Sequence, residues 1–222
     1  MNVLGFDTST ALASASVLRS DGEAFESGAD PARLLEPPAH ARELMPAIAT
    51  VLERSGLRWP ELDAIAVGVG PGSFTGLRIG VSTARALARA SGLELRPVSS
   101  LRTLAAGIDA PVRLPLIDAK RGELFAASYE GENERWAPFT ASPEQLLERL
   151  EDERTTVLAA GDGSIRSRSV LEAAGIRVEP DGSPAHLVRA LNLCRLAGSA
   201  RPVPPDAVLP EYLRLPDATP SP

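Results

Sequence analysis

The sequence predicts an α/β fold made of two lobes that share one plan. Each half opens with a short apolar run, residues 3–6 or 114–117, and each run ends at an aspartate, Asp7 or Asp118. Each run begins a pattern of three successive strands, after which helical and strand periodicities alternate. The two halves have little sequence identity, so what they share is the order of predicted strands and helices.

The length and composition agree with a folded protein that has a substantial core. The chain has 222 residues, of which 44% are hydrophobic and 23% are charged, which is ordinary for a globular protein. We expect a first lobe over residues 1–107 and a smaller second lobe over 108–200. Residues 201–222 contain seven prolines and are expected to form an extended tail.

The charge and the metal-binding residue types exclude several classes of protein. Acidic residues outnumber basic ones by 29 to 23, a net charge of −6, which argues against a chain that binds nucleic acid alone through a basic surface. One cysteine excludes an internal disulfide, and two histidines beside it cannot supply a usual structural zinc site. Neither a membrane-spanning run nor a signal peptide is apparent, so we expect a cytoplasmic protein without membrane contact.

The periodicity of the first half predicts its elements in order. A second strand over 11–17 and a third over 23–27 are joined by a hairpin turn at Asp21-Gly22. A loop over 28–38 leads to a helix over 40–55 that ends at Gly56. A strand over 65–69, a helix over 75–91, a strand over 95–98 and a helix over 101–107 follow.

The second half predicts the same order of elements. After the strand that ends at Asp118, residues 119–122 form a turn, and strands follow over 123–129 and 135–139. Ser142-Pro143 begins a helix through a capping box. A strand over 156–160, a helix that ends at Gly175 and a last helix over 185–197 complete the half.

A duplicated three-stranded meander with crossover helices is the plan of the two ribonuclease H-like lobes of the actin-like fold, found in sugar kinases and Hsp70. In that fold the strand-end aspartates and the turns beside them face a nucleotide between the lobes. The elements that would complete such a site are missing here, so we expect weak or absent ATP binding and no turnover. The residues assigned to this vestigial cleft are Asp7, Thr8, Ser9, Thr10, Gly70, Gly72, Ser73, Asp118, Lys120 and Arg121.

The glycine-rich stretch over 68–80 joins a strand to the start of a helix. Such a junction can bind an anion because free backbone N–H groups point outward there. The stretch is not a Walker A loop, since no Gly-Lys-Ser/Thr follows, and its glycine spacing does not match the dinucleotide motif. A tight turn that needs glycine for close packing explains the same residues, and the sequence leaves both interpretations open.

The helices over 40–55 and 75–91 are predicted to form a surface for a partner protein. The second helix carries small residues at four-residue spacing, which would let another helix approach closely. Packing of this stripe inside the chain's own lobe is the alternative that the sequence leaves open. The residues assigned to the partner surface are His40, Leu44, Ile48, Val51, Leu52, Leu77, Gly80, Val81, Ala84 and Ala88.

Five motifs occur along the chain: FDTST at 6–10, GPGSFTGLRIG at 70–80, IDAKRGELF at 117–125, GDG at 161–163 and PEYLR at 210–214. Together they resemble the TsaB family, also called YeaZ, of bacterial tRNA threonylcarbamoyladenosine biosynthesis proteins. The resemblance covers essentially the whole chain. It implies the actin-like fold, a cytoplasmic location and a non-catalytic role beside the related catalytic subunit TsaD and the ATPase TsaE.

The resemblance also implies which groups the chain would lack. In that system a threonylcarbamoyl group passes from threonylcarbamoyl-adenylate to the tRNA adenosine beside the anticodon. ATP, ADP and the metal would belong to the partner subunits, and tRNA would be reached only through the complex. The isolated chain could form a homodimer.

A comparison within the superfamily, which is also called glycoprotease or M22 peptidase, bears on catalysis. The catalytic relatives carry two metal-binding histidines four residues apart, shortly after their own glycine-rich helix. In this sequence those positions hold Ser100 and Leu104, and neither is a competent ligand for a transition metal. We therefore expect no metal and no catalytic residue in this chain. The sequence also lacks the Gly-x-Ser-x-Gly elbow of serine hydrolases.

Two alternatives belong to other functional classes. A free-standing nucleotide-dependent enzyme of the actin-like fold would use Asp7 and Asp118 to organise Mg²⁺. The short second half lacks a further glycine-rich adenosine loop, which disfavours this reading. An M22-type metalloprotease is disfavoured by Ser100 and Leu104.

Overall fold

The computed structural model describes residues 1–151 and 154–213. The first part of the chain forms a five-stranded sheet in the order β3-β2-β1-β4-β5. Its elements are β1 (Val3–Asp7), β2 (Ser14–Leu18), β3 (Ala24–Glu26), α1 (His40–Ser55), β4 (Ala64–Gly68), α2 (Phe74–Ser91), β5 (Glu94–Val98) and α3 (Ser100–Ala105).

The second part forms another five-stranded sheet, in the order β10-β9-β6-β7-β8. Its elements are β6 (Val112–Lys120), β7 (Glu123–Glu130), β8 (Asn133–Ala141), α4 (Pro143–Leu150), β9 (Val157–Ala160), α5 (Asp162–Arg166), α6 (Arg168–Ala173), β10 (Arg177–Val178) and α7 (Ala190–Ala197).

The two sheets repeat one topology. In each, the first three strands pair antiparallel, and the later two run parallel to the first strand. The predicted α/β fold with two ribonuclease H-like lobes of the actin-like type is therefore confirmed. Parallel pairing of β1 with β4 and of β6 with β9 places the strand-end aspartates beside the turns that follow β4 and β9.

The helices α1 and α2 form where their sequences predict them. Gly56 and Gly92 end these helices in the left-handed conformation, with φ of 67° and 73°, which glycine adopts without a steric penalty. Ser73 caps the start of α2 because its side chain accepts a hydrogen bond from Gly76 N. Both helices bury one face against the first sheet.

Several element boundaries differ from the predictions. The strand predicted over 11–17 begins at Ser14, the strand predicted to end at Asp118 continues to Lys120, and the helix predicted up to Gly175 is divided at Ser167 into α5 and α6. The short strand β10 was missed.

The helix predicted over 185–197 begins only at Ala190. Residues Pro184–His186 form a 3-10 turn, and the next residues are extended up to Arg189. Tertiary contacts favour this start, because Ser14 Oγ accepts a hydrogen bond from Ala190 N at 2.9 Å and Arg189 pairs with Glu26.

Contacts between the two parts of the chain are extensive. The helix α7, although it follows the second sheet in sequence, packs against β1 and β2 of the first sheet. Cys194 of α7 is buried beside Gly5, where a larger residue would collide with its sulfur. The helix α3 packs in turn against β6 and β7 of the second sheet. The division into lobes at residues 107 and 200 stays a prediction.

Candidate functional site

The turn after β1 is organised around the carboxylate of Asp7, which is 1% exposed. Oδ1 accepts hydrogen bonds from Ser9 N at 2.7 Å and Ser9 Oγ at 2.5 Å, and Oδ2 accepts one from Ser100 Oγ at 2.6 Å. Burial raises the pKa of Asp7, while the bonds from Ser100 and Ser9 oppose that change. The carboxylate is thus engaged inside the protein.

The glycine-rich stretch packs closely on this turn. A Cβ atom at Gly68 would collide with the Asp7 carboxylate, and one at Gly72 would collide with Ser9. In α2, a Cβ at Gly76 or Gly80 would collide with Thr8. The absence of side chains at these four positions is what lets the turn after β1 lie against α2.

Hydrogen bonds fix the same contact. Thr8 Oγ1 donates to Gly76 O at 2.7 Å, and Ser73 N donates to Ser9 O at 2.7 Å. Ser73 Oγ accepts from Gly76 N, so two N–H groups near the start of α2 already have partners within the chain. Of the two interpretations of the glycine stretch, close packing is the one that these contacts support.

His40 supports the turn from α1. The residue is 3% exposed, and its Nε2 lies 2.7 Å from Thr10 O. Since a carbonyl oxygen only accepts, Nε2 carries the proton in this bond. The ring also lies against Gly76, so His40 holds the turn after β1 in place.

A small cavity lies where the two sheets' turns approach each other. Five of the residues predicted for the cleft line it: Ser9, Thr10, Ser73, Asp118 and Lys120. Asp162 and Arg166 of α5 line it as well. Its volume is about 60 Å³, whereas pockets for small molecules usually have a volume of about 300–1,000 Å³.

The other five residues predicted for the cleft are not among those that line this cavity. Asp7 and Thr8 are buried, Gly70 lies against Leu77, and Gly72 packs on Ser9. Arg121 lines an open groove of about 660 Å³ on the second sheet, which Asp118, Lys120 and Arg166 also border.

The second aspartate, Asp118, is neutralised by its neighbours. Its Oδ2 lies 2.8 Å from Lys120 Nζ and 2.7 Å from Arg166 Nε, and Oδ1 accepts from Lys120 N at 2.8 Å. The aspartate side chain is only 9% exposed. Both cations therefore lie at Oδ2 of Asp118, and a backbone N–H engages Oδ1.

Asp162 lies at the start of α5, directly behind Asp118. Its Oδ1 accepts a hydrogen bond from Asp118 N at 3.1 Å, and the residue is 5% exposed. Burial, with the nearby charge of Asp118 acting in the same direction, raises the pKa of Asp162 to about 6 against opposing hydrogen bonds. The GDG motif contains Asp162, but neither Asp162 nor Arg166 was assigned to the cleft. The position of GDG after β9, equivalent to the glycine turn after β4, is a signal that could have found it.

The positions of the relatives' metal ligands have structural roles here. Ser100 donates its hydrogen bond to Asp7, and Leu104 is fully buried in an apolar cluster. Within residues 1–151 and 154–213, no group of three or more His, Cys, Asp or Glu side chains is arranged to hold a metal ion. Across that same part of the chain, none of the helices combines the length and the apolar character needed to cross a membrane.

The residues predicted for the partner surface face the inside of the protein. The nine residues other than Gly80 are at most 9% exposed, and Gly80 is buried as well. The set comprises His40, Leu44, Ile48, Val51, Leu52, Leu77, Gly80, Val81, Ala84 and Ala88. This placement corrects the residue assignment, because a helical period shows which residues share a face but not on which side the sheet lies.

The opposite faces of the same helices are exposed. On α2 the small residues Thr75, Ser82 and Ala86 lie there together with Arg78 and Arg89, and on α1 Ala49 lies near Met45, which is 48% exposed. Any contact that a partner makes with these helices has to use this outward face.

Comparisons with known proteins agree with the fold and the motifs. Residues 36–155 match the family model described as TsaD, tRNA N6-adenosine threonylcarbamoyltransferase. Over 187 residues the chain is 30% identical to the tRNA threonylcarbamoyladenosine biosynthesis protein TsaB of Bacillus subtilis, an alignment that covers 81% of each chain. The chain belongs to the TsaB family.

A solved structure and a second relative extend the TsaB match. A Pseudomonas aeruginosa protein described as similar to peptidase YEAZ superposes with a TM-score of 0.80 and 28% sequence identity. The superposition covers 96% of this chain and 99% of that one. An uncharacterised protein of Mycobacterium leprae is 32% identical over 98% of this chain, which spans 56% of the length of that relative.

Proposed function

We propose that this chain acts in tRNA threonylcarbamoyladenosine biosynthesis as a non-catalytic subunit that binds and activates a TsaD-like catalytic subunit. The name of the B. subtilis relative supports the pathway. The match of residues 36–155 to the TsaD model supports common descent with the transferase. A TsaE-like ATPase is the further partner in this proposal, the location is the cytoplasm, and tRNA is reached through the complex.

The side chains around the cleft support a non-catalytic role. Asp7 is enclosed by Ser9 and Ser100, and Asp118 is held by Lys120 and Arg166. A catalytic group needs a free atom that can reach a substrate. ATP, ADP and the metal are therefore assigned to the partner subunits.

The observation that carries the proposed partner surface is the outward face of α1 and α2. Both helices lie within residues 36–155, so a TsaD-like subunit carries counterparts of them. Two homologous helix pairs can form a four-helix contact when the facing residues are small. Ala49, Ser82 and Ala86 provide such a face, and a second copy of this chain would use it when the catalytic subunit is absent.

The test replaces each of two alanines at exposed helical positions with glutamate. Ala86→Glu places a carboxylate in the proposed contact, whereas Ala173→Glu places one on α6 of the second lobe, and both positions are exposed. Affinity for the catalytic subunit is measured by calorimetry, and tRNA modification is measured with the reconstituted proteins. We expect Ala86→Glu to weaken binding about tenfold or more and Ala173→Glu to leave it unchanged. Equal binding by both variants would place the partner surface elsewhere.

The same proteins separate this proposal from a free-standing nucleotide-dependent enzyme. A non-catalytic subunit has no turnover alone and raises the activity of the catalytic subunit in the mixture. If the isolated chain hydrolysed ATP as fast as the mixture with the catalytic subunit does, the free-standing enzyme would be favoured.

A further inference from the structure

The described part of the C-terminal tail, residues 201–213, is an ordered segment that we name the strap. It follows α7 and passes along the first sheet, α2 and the glycine-rich turn. Sequence alone indicated an extended tail, and residues 214–222, including Arg214 of the PEYLR motif, lie outside the described residues. The strap makes contacts with both lobes.

Its first half is anchored on the first lobe. Val203 pairs antiparallel with Leu95 of β5, and Val203 N donates to Leu95 O at 2.8 Å. Asp206 forms ion pairs with Arg85 and Arg89 on α2. Val208 is 2% exposed and belongs to the apolar core beneath α1 and α2. Because burial of an apolar side chain is stabilising, Val208 fixes this half of the strap firmly.

The middle of the strap lies on the glycine-rich turn. Glu211 N donates to Val69 O at 2.7 Å, and Glu211 O lies against Gly70, where a Cβ atom would have no space. The ring of Tyr212 lies 5.0 Å from the ring of Phe74 at the start of α2. The turn that packs on Asp7–Thr10 from one side is therefore held by the strap from the other.

The last described residue reaches the second lobe. Leu213 packs against the apolar cluster that joins α3 to β6 and β7, which includes Leu101, Ile117 and Phe125. Burial raises the pKa of Glu211, and the negative charge of Glu134 on β8 acts in the same direction. A segment of three residues, 211–213, thus contacts both the glycine-rich turn and the apolar cluster in which α3 meets the second sheet.

The proline content of the strap lowers the entropic cost of its docking on the protein. Four of the seven tail prolines lie within the strap, at Pro202, Pro204, Pro205 and Pro210. Proline fixes φ and so reduces the conformational entropy that the free segment would lose on docking. The prolines fit a segment that is docked in the folded protein.

We propose that the strap is a clasp between the lobes, in which residues 211–213 hold the glycine-rich turn against the apolar cluster that α3 forms with the second sheet. The contacts of α3 and α7 and the Arg189–Glu26 ion pair join the lobes without the strap and would act as the hinge when the clasp is released. This inference does not depend on the proposed function.

Two shortened chains test the clasp. One ends at Pro210 and lacks residues 211–213, and its control ends at Leu213, so that both lack residues 214–222. Hydrogen–deuterium exchange is followed at the amides of Val69, Ser73 and Ser100, whose acceptors lie in and around the glycine-rich turn. We expect about tenfold faster exchange in the chain that ends at Pro210, with the helices α6 and α7 unchanged.

The distance between the lobes gives an independent readout. Spin labels on Ser82→Cys of α2 and Ala173→Cys of α6 use exposed positions on different lobes, while the native Cys194 is buried. The chain that ends at Pro210 should show a longer or broader distance distribution than its control. The full-length Leu213→Ala variant should show the same change to a smaller extent, which covers the case in which the shortened chain does not fold. Identical exchange and distances in Leu213→Ala and the unsubstituted chain would overturn the clasp.

Discussion

Gly68 lies directly against the carboxylate of Asp7, and a Cβ atom at position 68 would collide with Oδ2. The contact follows from the sheet, because β1 and β4 run parallel and Phe6 is paired with Val67, one residue earlier on each strand. The glycine leaves the space into which the buried carboxylate turns, and Ser9 and Ser100 then supply its hydrogen bonds.

The first prediction follows from this contact. Gly68→Ala should lower the free energy of unfolding by about 3 kcal/mol, because the added methyl group displaces the carboxylate from its hydrogen bonds. Chemical denaturation of the isolated chain measures the change. Gly198→Ala is the control, since Gly198 has an ordinary helical φ of −56° and should change stability by well under about 1 kcal/mol. Equal effects of the two substitutions would contradict the contact.

The second prediction concerns the pH dependence of stability. The pKa of Asp162 in the folded protein is about 6, above its ordinary value of 3.8. A carboxyl group with a raised pKa binds its proton more tightly in the folded state. Its contribution to stability is therefore fully present below the ordinary pKa and is lost as the pH rises through about 6.

Asp162→Asn should remove this pH dependence. A shift of about two pKa units corresponds to about 3 kcal/mol, so the variant should gain that amount relative to the unsubstituted protein between about pH 3 and about pH 7. Denaturation at both pH values measures it, with the exposed Asp109→Asn as the matched control. A stability difference that stays constant with pH would show that Asp162 is not the group responsible.

The third prediction distinguishes two alanines that lie two residues apart on α2. Ala84 is fully buried against the first sheet, whereas Ala86 is exposed. Ala84→Glu should destabilise the isolated chain by about 3–5 kcal/mol, because it buries an unpaired charge. Ala86→Glu should leave the melting temperature almost unchanged. If Ala84→Glu folds as stably as Ala86→Glu, the side of α2 that faces the sheet has been assigned incorrectly.

This pair of alanines also shows how far the sequence could predict the surface. The helical period located α1 and α2 almost to the residue, since Gly56 and Gly92 end them by a local mechanism. It also grouped Leu44, Ile48 and Ala84 on apolar faces. Whether such a face meets the sheet or a partner depends on tertiary packing, and the more apolar face is the one that the sheet buried.

The cleft, too, could be predicted only in part, because tertiary contacts decide what each of its carboxylates binds. The strand-end positions of Asp7 and Asp118 followed from the apolar runs. Each carboxylate, however, is also bound by a partner that is distant in sequence. Asp7 bonds to Ser100, which is 93 residues away, and Asp118 pairs with Arg166, which is 48 residues away. Such partners have no signal in local periodicity, and this explains why Arg166 was missed.

The last prediction concerns nucleotide binding by the isolated chain. ATP would need space between the lobes and a free carboxylate to hold its Mg²⁺. The cavity there has a volume of about 60 Å³, and Lys120 and Arg166 already neutralise Asp118. We therefore expect no saturable binding of Mg²⁺-ATP with a Kd below about 1 mM.

Titration calorimetry of the full chain, followed by an assay for released phosphate, checks this expectation. Asp118→Ala is the informative variant, because it removes the carboxylate and frees both cations to face the cavity. Weak binding that strengthens in Asp118→Ala would be binding of phosphate by the freed Lys120 and Arg166, and it would agree with the geometry. Micromolar binding that Asp118→Ala abolishes, together with hydrolysis, would instead mean that the cleft holds a working nucleotide site, and the non-catalytic assignment would have to be given up.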